Sequence, residues 1–167
     1  MTFSIRNEAA ADRAAIAAVT TAAFLGEPHS NGTEAAIVDG LREAGALTLS
    51  LVDIDDDGDL IGHIGFSLAT TDMPGRWLGI GPLSVRPDRQ KQGVGSALVR
   101  TGLDRLRAEA DGFVLVGDPD YYGRLGFAAR PGLSCDGVPD MYVQALAATE
   151  VSGWGKIAFH PAFFVEA

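Results

Sequence analysis

The chain has 167 residues, 47% apolar and 21% charged, and Lys+Arg 13 against Asp+Glu 22 leaves a formal net charge of −9. That composition is globular and long enough to bury a core without staples, and the acidic balance argues against a nucleic-acid partner, which would need a basic face. Cys135 is the single cysteine, so no internal disulfide forms; residues 1–11 carry no apolar leader and no run reaches a membrane span, so one domain, 1–167, in the cytoplasm is expected.

Residues 3–7 read as a first strand. Ile16, Val19 and Phe24 recur at helical spacing across 11–24. Asn31 and Glu34 are spaced as a capping box, opening a helix through Ile37, Val38 and Leu41 that closes before Gly45. The period then changes to two. Leu47, Leu49 and Leu51 mark a strand, residues 60–69 its partner, and the Asp55–Asp59 run with its Asp-Gly step the hairpin turn between them. Residues 77–85 form a third long strand, in which Gly79, Gly81 and Pro82 predict a bulge or a break in pairing. The next helix carries Val99, Leu103, Leu106 and Ala110 on one face, and Gly112 is expected to stop it. Phe113–Val116 has no polar residue, as in a strand buried on both faces. Asp118 as N-cap, Pro119 as first helical residue and Gly126 as left-handed cap bracket a short helix. Residues 141–147 and 156–159 are further candidate strands. Helices set among mostly antiparallel strands predict a mixed α/β sheet.

The segment Gln90-Lys91-Gln92-Gly93-Val94-Gly95-Ser96 lies between the strand ending at Val85 and the following helix. Its glycines let the backbone approach a ligand closely. Loop N–H groups and the positive helix end then converge where a phosphate or pyrophosphate would sit. A Walker A loop would need Gly-Lys-Ser/Thr where Gly95-Ser96-Ala97 stands, and a dinucleotide fingerprint would need glycine at Leu98. The bland alternative is a glycine-rich turn. Arg86, Arg89, Lys91, Arg100, Arg105 and Arg107 cluster around this loop and helix. Such a stretch suits a phosphorylated cofactor, or equally a solvated helix face.

Roughly thirty residues on, room enough for a helix and a strand, comes Tyr121-Tyr122-Gly123-Arg124-Leu125-Gly126-Phe127. With Gln90, Gly93 and Gly95 in the pattern Gln/Arg-x-x-Gly-x-Gly/Ala, the two motifs resemble those of the GCN5-related N-acetyltransferase (GNAT) superfamily. The resemblance covers nearly the whole chain, including Ile5-Arg6 and the Ala-rich helix after Asp12. Gly117-Asp118-Pro119 before the tyrosines, and Phe159-His160-Pro161-Ala162-Phe163 near the end, resemble the YhbS-like branch of predicted acetyltransferases.

The resemblance implies an α/β (α+β mixed sheet) acyl-CoA N-acyltransferase fold, with a largely antiparallel sheet splayed at the cofactor strand and flanked by helices. It implies acetyl-CoA as cofactor, with Leu83, Ser84 and Val85 pairing through their backbone with the pantetheine arm. Gln90, Lys91, Gln92, Gly93, Val94, Gly95 and Ser96 form the pyrophosphate loop, and Arg89 and Lys91 reach the phosphates or stay solvated. An amine attacks the thioester directly. The amide of Leu83 is the candidate oxyanion donor, because Pro82 has none to give, and Tyr122 is the general acid for the leaving thiolate. Many members carry a glutamate on the strand before the loop, but Trp77–Gly81 holds no carboxylate. Candidate bases are Glu34, His63 and Asp72, acting through water, or solvent alone. Glu34 could instead be a capping carboxylate, and His63 a hydrogen-bonded structural histidine. A non-catalytic acyl-CoA-binding regulatory module is the second reading. The acceptor is left open between small amines and protein amines, and negative charge leans toward a cation.

Other features carry no site. Asp53-x-Asp55-x-Asp57-Gly58 begins like a calcium loop, but Ile64 stands where a bidentate glutamate is required, so a polar hairpin is expected. His29, His63, His160 and Cys135 lack metal-ligand spacing, so no metal is expected. Cys135 reads as a free surface thiol in a loop. Trp154, Phe159, Phe163 and Phe164 could line the acceptor cleft with the first two helices, close a homodimer interface or pack in the core, which is the default.

Overall fold

The computed structural model describes residues 3–166; Met1, Thr2 and Ala167, the ends of the span read as one domain, lie outside the described residues. The elements in chain order are β1 (Ile5–Asn7), α1 (Arg13–Phe24), α2 (Glu34–Glu43), β2 (Leu47–Ile54), β3 (Leu60–Thr71), β4 (Trp77–Val85), α3 (Val94–Leu106), β5 (Gly112–Val116), α4 (Pro119–Gly123), β6 (Ser134–Cys135), β7 (Val143–Ala147) and β8 (Lys156–Ala158). They build an eight-stranded mixed sheet in the order β1-β2-β3-β4-β5-β7, with β8 on the far end of β3 and β6 on β8. The pairings from β1 to β4 and between β5 and β7 are antiparallel, and β4 with β5 is parallel.

Alternation along the strands sorts the core onto two faces. Leu51, Ile64, Phe66, Leu78 and Ile80 pack with Leu98, Val99 and Leu103 of α3. Their neighbours Val52 and Leu60 turn the other way and pack with Ile16, Val19 and Val38 of α1 and α2. A third cluster joins Trp77, Val114, Val143 and Ile157 at the end of the sheet. Burying side chains of this size contributes about 1.5–3 kcal/mol each, so packing, more than helix propensity, holds α1 and α3 in place.

The break expected in β4 is present. β4 and β5 pair only over Trp77↔Gly112, Leu78↔Phe113 and Gly79↔Val114. Gly81 then takes φ +127 and the β3–β4 register shifts between Ile64 and Phe66. Beyond that point β5 stays with β7, and a gap opens between Leu83–Val85 and the end of β5.

Three expectations need correction. The helix after the glycine loop ends at Leu106; Gly112 opens β5 instead, where the Trp77 ring occupies the space of a side chain. The Asn31–Glu34 capping box does not form. Thr33 is the N-cap of α2, Asn31 accepts from the Thr33 hydroxyl, and Glu34 accepts from Ser30. Cys135 lies half-buried on β6, not in a loop. Of the C-terminal aromatics, Trp154 and Phe159 pack against the core as expected by default, Trp154 meeting Trp77 edge-on at 5.8 Å and Phe159 lying over Gly79, whereas Phe164 is exposed. Among the described residues no helix is long and apolar enough to cross a membrane.

Candidate active site

A cleft of about 1120 Å³ runs through the gap between β4 and β5. Leu83 and Val85 form one wall; Val116, Gly117 and Asp118 at the end of β5 form the other. Gln90, Lys91, Gly93, Val94, Gly95 and Ser96 close one end. Gly93 is the N-cap of α3 at φ +89, and no side chain caps the helix. The first N–H groups of α3 are thus unsatisfied at the cleft end, which is the electrostatic condition for an anion. Gln90 Nε2 donates to Val85 O at 3.1 Å and Gln92 Nε2 to Asp88 O at 3.2 Å, so these amides brace the loop from outside. Arg89 lines the cleft but is held by Asp55 at 3.0 Å. Lys91, at φ +62, reaches the same end without that tie.

The cleft is walled further by Ala23, Phe24, Glu27 and His29 of α1 and its loop, by Ser30 and Glu34, and by residues 137–139 with Tyr142. Released from capping, Glu34 faces the cleft. The cleft is thus lined by the cations Arg89 and Lys91 at the loop and by the carboxylates of Glu27 and Glu34 on the α1–α2 side.

The tyrosine pair on α4 divides. Tyr121 lines the cleft, with its hydroxyl 3.3 Å from Ser96 Oγ and above Gly95, where a Cβ would stand 2.6 Å from it. Tyr122 packs behind, its ring on Gly117 and edge-on to Phe127 at 6.2 Å. Burial, then the neighbouring Tyr121 and Asp118, raise the Tyr122 phenol well above its ordinary value. Asp118 accepts from Asp120 N at 2.9 Å and Pro119 fills the first helical position, so α4 starts where the sequence signals it.

Of the residues expected at the site, Leu83, Val85, Gln90, Lys91, Gly93, Val94, Gly95, Ser96 and Glu34 line the cleft. The Ser84 side chain is buried on the other face of β4, Gln92 braces the loop, and Tyr122 backs the wall. Asp72 and His63 do not line it. Tyr121, Asp118, Phe24 and Tyr142 were not anticipated as wall residues. Tyr121 could have been found only from the turn of α4, since adjacent helical residues point about 100° apart. Among the described residues no cluster fit to hold a metal occurs.

A sheet parted at one strand pair, with a helix N-terminus at the end of the gap, can hold an extended chain that ends in phosphates. The chain belongs to the acetyltransferase (GNAT) family, whose model matches residues 15–127. Within it, the chain is 40% identical over 119 residues to YhbS of Escherichia coli K12, an uncharacterized N-acetyltransferase, covering 68% of this chain and 70% of that protein. A GNAT family acetyltransferase from Brucella melitensis, solved in complex with acetyl-CoA, is 45% identical over 97% of this chain and 98% of its own, at a TM-score of 0.84. The structure of YhbS from Escherichia coli in complex with CoA matches at 32% identity and a TM-score of 0.86, over 96% of this chain and 91% of that one.

Proposed function

We propose that residues 1–167 act as one domain that moves an acetyl group from acetyl-CoA to an amine. The observation that carries this reading is the parted β4–β5 pair with the uncapped start of α3 at its end. The exposed backbone of Leu83–Val85 suits the amides of the pantetheine arm, and the amides of Gly93–Ser96 suit the pyrophosphate. Crystal structures of relatives with acetyl-CoA and CoA support the same cofactor. The lone unpaired Cys135 suits a reducing cytoplasm.

The amine, once its ammonium form has released a proton to solvent, attacks the thioester carbonyl with its lone pair; the Leu83 amide is the candidate donor to the oxyanion, and the thiolate takes a proton from α4. Tyr122 holds that role by its motif position, and its raised pKa keeps it protonated at neutral pH. Tyr121 is a second candidate, because its hydroxyl faces the cleft. Glu27 and Glu34, which line the cleft, favour an amine that arrives as a cation.

Calorimetry with acetyl-CoA tests the cofactor. Wild type should bind in the micromolar range and Gly93→Asp should abolish binding, because a non-glycine residue strains the left-handed N-cap at φ +89 and adds negative charge to the loop that receives the pyrophosphate; absence of binding by folded wild type refutes the reading. Turnover against polyamines, amino sugars and lysine- or α-amine-bearing peptides tests transfer. The tyrosine whose change to Phe lowers kcat about 10²-fold or more at unchanged acetyl-CoA affinity is the acid.

A further inference from the structure

On the face of the sheet covered by α1 and α2 lies a polar system that the transfer reading leaves unused. His63 on β3 is fully buried, and its Nε2 lies 2.8 Å from Ser50 Oγ. The same hydroxyl contacts Glu8 Oε1. Arg42 of α2 donates to both oxygens of Glu8, at 2.8 and 3.2 Å. Hydrogen-bond direction follows from valence. An ionised carboxylate only accepts, so Ser50 donates to Glu8 and accepts from His63 Nε2–H. His63 is then the Nε2–H tautomer, and its Nδ1 carries a bare lone pair, unpartnered in the protein. The set is not a hydrolase triad. Glu8 holds the hydroxyl, not the far ring nitrogen, so it disarms Ser50 as a nucleophile.

Two buried hydroxyls share this condition. Ser84 on β4 stands across from His63 in the ladder, with its Oγ unpartnered. Thr20 on α1, which packs over β3 and β4, has an unpartnered Oγ1. Buried polar groups seldom stay unpaired, and an acceptor with two hydroxyls in one layer defines a place for ordered water. That layer borders the cleft on two sides. One turn beyond Thr20, Ala23 and Phe24 are cleft wall, and so is Leu83 beside Ser84.

The geometry points to His63 as the residue that takes up the attacking amine's proton, through water held at Ser84 and Thr20, for the transfer proposed above. The nitrogen–carbonyl bond forms and the carbon–sulfur bond breaks. One amine proton reaches His63 Nδ1 through the water, and the α4 tyrosine gives its proton to sulfur. The imidazolium then returns its proton to the tyrosinate through cleft water, so the enzyme is restored and the products are amide and thiol. Glu8, through Ser50, stabilises the imidazolium, and Arg42 keeps Glu8 ionised. These two are the charged groups acting on the ring among the described residues; β2 and β4 offer it the hydroxyls of Ser50 and Ser84, and α1, packed on β3 and β4, carries the buried Thr20. Burial lowers the His63 pKa below its ordinary value, against the pull of Glu8, so the ring rests neutral. His63 thus supplies what β4 lacks, since Trp77–Gly81 has no carboxylate.

Two measurements test this. Nitrogen-15 NMR of the imidazole should show Nε2 protonated and Nδ1 bare at pH 7.5; an Nδ1–H tautomer overturns the proposal whether or not the protein turns over. The pH dependence of kcat, with the amine that the turnover screen returns, should reach a plateau in wild type. His63→Gln should lose at least tenfold in kcat at pH 7, keep the KM for acetyl-CoA within twofold, and rise with pH without a plateau. Wild-type kcat and profile in His63→Gln overturn the proposal. If that variant does not fold, Ser84→Ala, which removes one buried hydroxyl, is read the same way: a tenfold loss in kcat supports the path and an unchanged profile overturns it. A wild type that binds acetyl-CoA but acetylates no amine removes the transfer reading and the proton path with it; turnover with unaffected variants removes the path alone.

Discussion

Gly95 shows how single atoms set the cofactor end. It lies in the first turn of α3, facing Leu83, Val85 and the Tyr121 hydroxyl. A methyl group there would sit 2.6 Å from that hydroxyl and 3.6 Å from the two β4 side chains. The aliphatic contacts are ordinary; the hydroxyl contact is not, because the tyrosine ring is rigid. Gly95→Ala should therefore displace Tyr121 into the cleft. Alanine also favours the helix by about 1 kcal/mol over glycine, so stability should hold or rise while acetyl-CoA affinity falls about tenfold, or about 1.4 kcal/mol. Tyr121→Phe removes the atom that clashes. In the double variant most of the affinity should return, giving a coupling of about 1 kcal/mol in a calorimetric double-mutant cycle. Additive losses would show that the methyl acts on the cofactor directly.

At the scale of elements, the acidic hairpin between β2 and β3 buttresses the glycine loop. Asp55 accepts from the amides of Asp57 and Asp59 at 3.0 and 2.9 Å, then pairs with Arg89 at 3.0 Å and approaches Arg86. Those bonds and charges hold its carboxyl below the usual range. Asp55→Ala should release the Pro87–Arg89 turn, seen as faster amide hydrogen exchange over 86–91 and a several-fold loss of acetyl-CoA affinity. Unchanged exchange would make the hairpin a bystander. Its polar turn was legible in the sequence; its task was not, because Arg89 lies 34 residues away. The same division runs through the fold. Strands β2 and β3 were legible from a period-two apolar pattern and Asp-Gly turn chemistry, β4 from a long run broken at Gly81-Pro82 and β5 from a run with no polar residue, all of them local signals. The end of α3 was misread because Gly112 clears space for Trp77 from another strand. β6 is too short, at 2 residues, to show a period. At the site, the glycine loop announced itself by composition. The exchange of Tyr121 for Tyr122 on the cleft wall was invisible because it depends on how a five-residue helix is turned.

For the whole molecule, the buried Glu8–His63 system makes stability a function of pH. Burial opposes ionisation of Glu8, but His63, Arg42 and Ser50 outweigh it and hold the carboxyl far below its ordinary value of 4.5. A depressed carboxylate stabilises the fold above the unfolded value, and that stability is lost as pH falls through and below 4.5. His63 is depressed from 6.5, chiefly by burial. The unfolded chain then binds the proton more readily, so stability is full above 6.5 and declines as pH falls below it. Asp53, raised by burial, acts in the opposite sense and softens the acid limb, because folding favours its protonated form. Urea midpoints should be flat above pH 7, fall from about pH 6.5, and fall again below about pH 4.5. His63→Gln should remove the first decline and leave a smaller second one, since Arg42 and Ser50 still hold the Glu8 carboxyl down. Glu8→Gln should cost about 3 kcal/mol at pH 7, since it leaves the half-buried Arg42 without its main partner, and should flatten the second decline. Because Glu8, just past β1, and His63 on β3 are 55 residues apart and are tied to each other through β2 and α2, the two declines should come in one cooperative transition at each pH. An early local transition confined to β1 would instead show that the network guards an edge and not the core.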